Sequence, residues 1–422
     1  MKINPPFREE HIGSLLRPRE LKDAFAARSR GEMDELRFRE ILERSILDAI
    51  RMQEEAGLQT ISDGEFRRVA WSTGFISALE GLGSAQSIFE FRDDAGNLQR
   101  WDTCYATGRV RRPRGITLEE FEFVRRNTSG TPKVTMPSPS FLHFFRLGEC
   151  ADRKVYPKLD EFWSDLIRIY QEELAELGRV GATYVQFDEV PQAMLCDENV
   201  RAKVREHGED PERLLTVYID AVNRILAQRP AGMTIGMHLC RGNLRGRWMA
   251  AGGYEAIADR LFNDLNVDGF FLEYDSPRAG DFSPLRLMPK DKFIRLGLIS
   301  SKTPALENKD DLKRRIDEAA RFVPIGSLGI SPQCGYASTA GGNPLTAEDQ
   351  KAKLRLVVEV ASEVWRLEKL DRSGGSMSAE VHAAAISESC VRRCVCAVRR
   401  TSRGTESEKP RRRRTLPGCS TG

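Results

Sequence analysis

Apolar residues in this chain fall into two alternating patterns. Short β-branched or aromatic runs of strand length are followed by longer stretches whose apolar positions recur three and four apart. The short runs predict eight strands, near residues 9–14, 58–62, 132–137, 182–188, 232–238, 268–273, 293–298 and 326–332. The longer stretches predict helices over 35–56, 160–179, 211–228, 253–265, 309–322 and 346–368. Strands alternating with helices imply a parallel sheet, and a count of eight closes it into a barrel. The expected fold class is therefore α/β, a (β/α)8 TIM-type barrel with an inserted hairpin region and a disordered C-terminal tail.

The pattern weakens in three places. The first strand ends in His11-Ile12-Gly13-Ser14 and is barely apolar. Residues from about 84 to 130 fit no simple βα unit; rich in Arg, Gly and aromatics (Phe89, Phe91, Trp101, Tyr105, Phe121, Phe123), they read as a hairpin insertion beside the barrel mouth, with a plain surface decoration as the alternative. After Leu370, Ser373-Gly374-Gly375-Ser376 breaks the periodicity, which divides the chain into a catalytic barrel over 1–370 and a disordered basic tail over 371–422. In that tail Cys390, Cys394 and Cys396 have neither paired spacing nor a His partner, so a second metal site is not expected there. Arg411 to Arg414 read as a solvated terminal run.

Composition narrows the function classes. The 422 residues, 40% hydrophobic and 30% charged, suffice for one large core. No run approaches the roughly 18 apolar residues of a membrane span, and Met1-Lys2-Ile3-Asn4-Pro5-Pro6 lacks the core of a signal peptide, so a cytoplasmic protein off the membrane is expected. Nine scattered cysteines fit reduced thiols and a metal site better than a disulfide framework. The net charge of +3 divides into +6 for residues 371–422 and −3 for the rest, which argues against nucleic acid as a partner.

Polar residues interrupt the apolar runs at their C-terminal ends, and in a barrel those ends meet at one mouth. His238 and Cys240 stand two apart, and strand residues i and i+2 point the same way. Glu273 ends the run Gly269-Phe270-Phe271-Leu272, and Cys334 follows Ser331-Pro332-Gln333. Any one of these alone is more often a core residue; together they form a tetrahedral set suited to Zn2+. Other strands end in His11 to Ser14, Asp63-Gly64-Glu65, Pro137-Ser138-Pro139 and Asp188-Glu189, so only the seventh strand contributes nothing. A His/Cys/Cys/Glu set around Zn2+ sums to about −1 with both thiols ionised, too electron-rich to acidify water well. It suits a substrate thiol that displaces the carboxylate and stays nucleophilic, which makes thiol alkylation the natural reaction.

These motifs also carry a resemblance. His238-Leu239-Cys240, Phe271-Leu272-Glu273 and Ser331-Pro332-Gln333-Cys334-Gly335, with His11-Ile12-Gly13-Ser14, Asp63-Gly64-Glu65-Phe66-Arg67-Arg68 and Val185-Gln186-Phe187-Asp188-Glu189, resemble the catalytic barrel of cobalamin-independent methionine synthase, closest to its short single-barrel members. The similarity covers roughly residues 8 to 368. It implies that His238, Cys240, Glu273 and Cys334 bind zinc, with homocysteine sulfur as incoming ligand. Ile12 and Ser14 match the segment that holds the amino acid carboxylate. Glu65 and Asp188 match acids that hold its ammonium, and two carboxylates facing a small pocket are indeed best satisfied by a cation; helix capping or pairing with Arg67 or Arg68 is the structural alternative. The product would be methionine. His143, six residues after Pro137, is a candidate acid for the leaving group, with a core or surface role as the favoured alternative.

The methyl donor is less determined. The resemblance lacks the second, N-terminal barrel of the full-length enzymes and a clear counterpart of their pterin-stacking tryptophan segment, for which Trp71 and Trp101 are the candidates. A 5-methyltetrahydrofolate-type donor is favoured over a methylated corrinoid protein or a small methylated thiol or sulfonium compound. Competing readings are zinc-dependent epoxide opening by coenzyme M, which has no ammonium for Glu65 and Asp188, and a zinc- or thiol-binding protein without turnover.

Overall fold

The computed structural model describes residues 6–365. The tail, its cysteines and its arginine run lie outside them.

Six strands form one parallel sheet, running from the third predicted strand to the eighth: Val134–Pro137, Tyr184–Glu189, Thr234–Leu239, Gly269–Glu273, Phe293–Ile299 and Leu328–Pro332. With one exception, Thr234, every residue in them is buried, as expected for strands covered on both faces. The second strand, Thr60–Ile61, pairs in parallel with Thr131–Pro132, just ahead of the third. The first segment closes the ring by thinner means. Glu9 bridges Ile330 in parallel, Leu15 N–H donates to Gly64 O at 3.0 Å, and His11 Nε2 lies 3.1 Å from Thr60 O. Inside the barrel Lys133 Nζ donates to Glu10 Oε2 at 3.3 Å and Tyr184 OH to Glu10 Oε1 at 2.9 Å, which ties that segment to the third and fourth strands. The result is a (β/α)8 barrel.

The outer helices bury one apolar stripe and stop at local signals. Glu35–Ala56 turns Phe38, Ile41, Leu42, Ile46 and Ile50 inward; Asp34 caps it by accepting Arg37 N–H at 2.8 Å, and Gly57 ends it at φ 91°, which costs an L side chain but not glycine. Pro211–Leu226 starts with proline behind an Asp210 cap, and Ala347–Val364 starts with a Thr346/Asp349 capping box. None of the described helices is long and apolar enough to cross a membrane.

Between the second and third strands the chain leaves the barrel. Glu80–Gln86 pairs antiparallel with Asp102–Arg111, and Phe91–Arg92 with Leu98–Gln99. The chain then returns through a helix, Leu118–Asn127. The hairpin therefore begins before residue 84, and the end of the 84–130 stretch is a barrel helix rather than insertion.

Candidate active site and metal centre

Register brings the site together. In the parallel ladders Pro137 lies beside Asp188, Asp188 beside His238, and His238 beside Phe271, so groups distant in sequence share one level near the strand ends. One step further, Cys240 N–H donates to Glu189 O at 3.2 Å, and Cys334 leaves the eighth strand into the same mouth.

His238, Cys240 and Cys334 converge: their ligand atoms all lie within 4.8 Å of one another, and the two sulfurs are 3.7 Å apart. All three are buried. Both ring nitrogens of His238 lack a hydrogen-bond partner, a costly state for a buried imidazole unless something else binds it. The S–H of Cys240 toward Cys334 holds the Cys334 thiol well below its ordinary range, and the same contact together with burial pushes Cys240 well above. Burial pulls the His238 pKa down, and the neighbouring Cys334 sulfur, with Asp188 and Glu273, more than restores it. Two sulfurs and a free imidazole fit the zinc that the sequence motifs imply.

Glu273 is adjacent but falls outside that three-residue group. Its Oε2 accepts Arg241 N–H at 2.8 Å and its Oε1 accepts Lys302 Nζ at 3.1 Å. Burial pushes its pKa up, but Lys302 and Arg241 outweigh burial and hold it below the ordinary value. Lys302 and Arg241 were not anticipated from sequence. Lys302 supplies the charged group missing from the seventh strand, three residues past its end at Ile299.

A cavity of about 610 Å³ opens over this cluster. Its floor includes Ile12, Ser14, Glu65, Asp188, His238, Cys240 and Cys334; its walls include Trp71, Trp101, Phe91, Phe141 and Phe145, and Lys and Arg are absent from the described residues lining it. The hairpin insertion thus forms part of the site, through Leu82, Trp101 and Asp102 among others. Trp71 meets Phe141 edge-on at 4.9 Å and Trp101 meets Phe145 at 4.7 Å.

Glu65 occupies a left-handed backbone conformation, φ 59°, stabilised by Asp63 Oδ1 accepting its N–H at 2.7 Å. Its Oε1 accepts Thr135 Oγ1 at 2.9 Å, while Oε2 is buried without a partner. Arg68 stands 3.8 Å away but is committed to Glu120 at 2.8 Å. Burial raises the Glu65 carboxyl, and it raises Asp188 to about 7 against the pull of His238. Asp188 Oδ1 accepts Gln186 Nε2 at 2.7 Å, and that amide also donates to Ile12 O at 2.7 Å. Ser14 is pinned between chain segments, its O accepting Tyr336 N–H at 2.8 Å. Gly335 is required opposite it, since a Cβ there would lie 1.9 Å from Ser14 Oγ.

His143 is elsewhere. On the short helix Phe141–Phe144 its Nδ1 meets Tyr218 OH at 2.9 Å and its ring packs 5.3 Å from Trp163, away from the residues lining the cavity. Burial lowers its pKa to about 4, so it is a neutral core histidine and not the leaving-group acid.

Fold and site define a class: a (β/α)8 barrel that gathers soft metal ligands and paired carboxylates at its mouth. The chain belongs to the family described as cobalamin-independent synthase, catalytic domain, which matches residues 8–363. It is 41% identical to the uncharacterized protein YxjH of Bacillus subtilis (strain 168), over 86% of this chain and 95% of that protein. It is 28% identical to the methionine synthase of Pyrococcus abyssi, over 77% and 84% respectively. Among solved structures, the putative vitamin-B12 independent methionine synthase of Listeria monocytogenes matches at TM-score 0.66 and 31% identity, covering 86% of this chain and 99% of that one. A B12-independent methionine synthase from Shewanella sp. W3-18-1, solved with selenomethionine, shares the fold at TM-score 0.63 and 20% identity, covering 86% and 99%. Family membership supports a methyltransferase that acts on homocysteine.

Proposed function

We propose that this protein is a zinc-dependent methyltransferase that transfers a methyl group to the thiol of homocysteine to give methionine. The observation that carries the reading is the convergence of Cys240, Cys334 and the unpartnered His238 beside a cavity floored by Glu65 and Asp188. His238, Cys240 and Cys334 would hold the metal, with Glu273 as the carboxylate within reach. Zinc there supplies a soft Lewis acid that keeps a substrate thiol ionised near neutral pH.

The other residues orient the amino acid. The free Oε2 of Glu65 and the Asp188 carboxylate accept its ammonium, and the Ile12 to Ser14 segment receives its carboxylate. The sulfur then faces the open cavity, where it attacks the methyl carbon as the bond from that carbon to the donor nitrogen breaks; the proton released by the thiol is returned to that nitrogen through solvent. Trp71 and Trp101 offer aromatic surface for a flat methyl carrier, which supports a donor of the 5-methyltetrahydrofolate type. Lys and Arg are absent from the described residues lining the cavity, so none of these offers a cation to the anionic tail of such a donor.

A sulfonate acceptor such as coenzyme M lacks the ammonium that two buried carboxylates require. Zinc-loaded protein is therefore expected to form methionine from homocysteine and 5-methyltetrahydrofolate and to leave coenzyme M unalkylated. Alkylation of coenzyme M with no methionine formed would overturn the reading.

A further inference from the structure

We infer that Lys302 is a positioning residue that competes with the metal for Glu273 and receives this carboxylate when the substrate sulfur arrives. The inference rests on the zinc-dependent reading above and adds to it a residue that sets how firmly the fourth ligand is held.

Three observations carry it. First, Glu273 is buried beside the His238, Cys240 and Cys334 cluster, yet both its oxygens are engaged elsewhere, Oε1 by Lys302 Nζ at 3.1 Å and Oε2 by Arg241 N–H at 2.8 Å. A carboxylate already satisfied by a cation and an amide gives up part of that stabilisation when it turns to a metal, so it is a weak ligand that a sulfur displaces readily. Second, Lys302 is itself buried, and a buried ammonium left without a partner is costly. Third, a partner waits for it: Asp275 Oδ2 lies 3.7 Å from Lys302 Nζ, and Asp275 Oδ1 is buried without a hydrogen bond. Ser300 Oγ donates to Asp275 Oδ2 at 2.8 Å and fixes that carboxylate in place.

The ammonium therefore has two stations, Glu273 and Asp275. With Glu273 on the metal, Lys302 remains paired through Asp275. With sulfur on the metal, Glu273 returns to Lys302 and Arg241 N–H. The exchange keeps Lys302 paired in both states, and the only proton released is that of the substrate thiol, which passes to solvent as its sulfur binds. Without Lys302, Glu273 would be left to the metal, and the substrate thiol would have to expel a more committed ligand.

The test uses full-length protein and competition with a chromophoric zinc chelator. Replacing Lys302 by Gln removes the charge and keeps a hydrogen-bonding group; Lys302→Met, the second variant, removes the charge and better preserves the unbranched shape of the side chain. Both are expected to bind zinc about tenfold more tightly than wild type, the scale of one charge-assisted hydrogen bond released. Both should raise the KM for homocysteine more than they lower kcat. In a Glu273→Gln background the Lys302 substitution should leave zinc affinity unchanged, because the competition has lost its object. Zinc affinity that is unchanged or weakened in folded Lys302→Gln and Lys302→Met overturns the inference while leaving the zinc enzyme intact. Failure of wild-type protein to bind zinc overturns both.

Discussion

Replacing Glu65 by Gln removes one charge from the floor of the cavity and almost nothing else. The side chain keeps its size, and the left-handed backbone at φ 59° is as accessible to Gln as to Glu. Thr135 still has an acceptor oxygen, and Arg68 keeps Glu120 at 2.8 and 2.9 Å and Thr135 O at 2.6 Å, so no buried cation loses its last partner. Stability should fall by no more than about 1 kcal/mol. What is lost is the anionic Oε2, the unpartnered oxygen available to an ammonium group. A hydrogen bond between charged groups contributes about 1.5–3 kcal/mol, which corresponds to roughly 10- to 150-fold in affinity. Calorimetric titration with methionine, which carries the same ammonium and carboxylate but no titrating thiol, measures that loss directly, with zinc content assayed on the same sample. Unchanged affinity in fully zinc-loaded Glu65→Gln would refute the reasoning. Zinc lost in parallel would also refute it, because the effect would then act through the metal.

Four further outcomes are expected. Cys334→Ala should abolish stoichiometric zinc binding as measured by metal analysis while leaving the far-ultraviolet circular dichroism unchanged; retained zinc would remove Cys334 from the centre. Because burial raises Asp188 from 3.8 to about 7, its carboxyl is protonated below that value and ionised above it. Methionine affinity should therefore climb as pH rises through about 7 and flatten in Asp188→Asn. The same shift makes this group's contribution to ligand-free stability largest below its ordinary pKa and lost as pH rises through about 7, so a stability difference between wild type and Asp188→Asn that grows in favour of wild type as pH rises across that window would contradict it. Finally, His143→Leu should leave kcat unchanged and lower stability by about 1–3 kcal/mol, because Tyr218 OH loses its buried partner; a collapse of kcat in stable protein would restore His143 to the chemistry.

Much of this was legible in the sequence because parallel barrels impose two strong periods. The helix predicted over 35–56 is observed as Glu35–Ala56, and the strand predicted over 293–298 as Phe293–Ile299. The first strand was faint because its attachment is made by one bridge at Glu9 and by buried polar contacts of Glu10 and His11, none of which requires an apolar run. The hairpin was seen but misplaced at both ends, since Glu80–Gln86 is half exposed and glycine-rich and Leu118–Asn127 carries its charges among its aromatics. In the site, the clustering of His238, Cys240 and Cys334 follows from strand spacing and shared strand ends. Lys302 and Arg241 escaped notice because lysine and arginine in loops are usually solvated, and only tertiary packing makes these two buried partners of Glu273. His143 misled for a related reason: closeness in sequence to the third strand end does not fix which way a short helix turns its imidazole.

Zinc K-edge X-ray absorption on wild-type protein, with and without homocysteine, bears most directly on the claim that a sulfur-rich centre receives the substrate thiol. Two sulfur ligands at about 2.3 Å are expected without substrate, and three with homocysteine, the added sulfur taking the place of a lighter atom. A sulfur count that stays at two on saturation with homocysteine, or zinc that is not retained by the protein, would contradict the account.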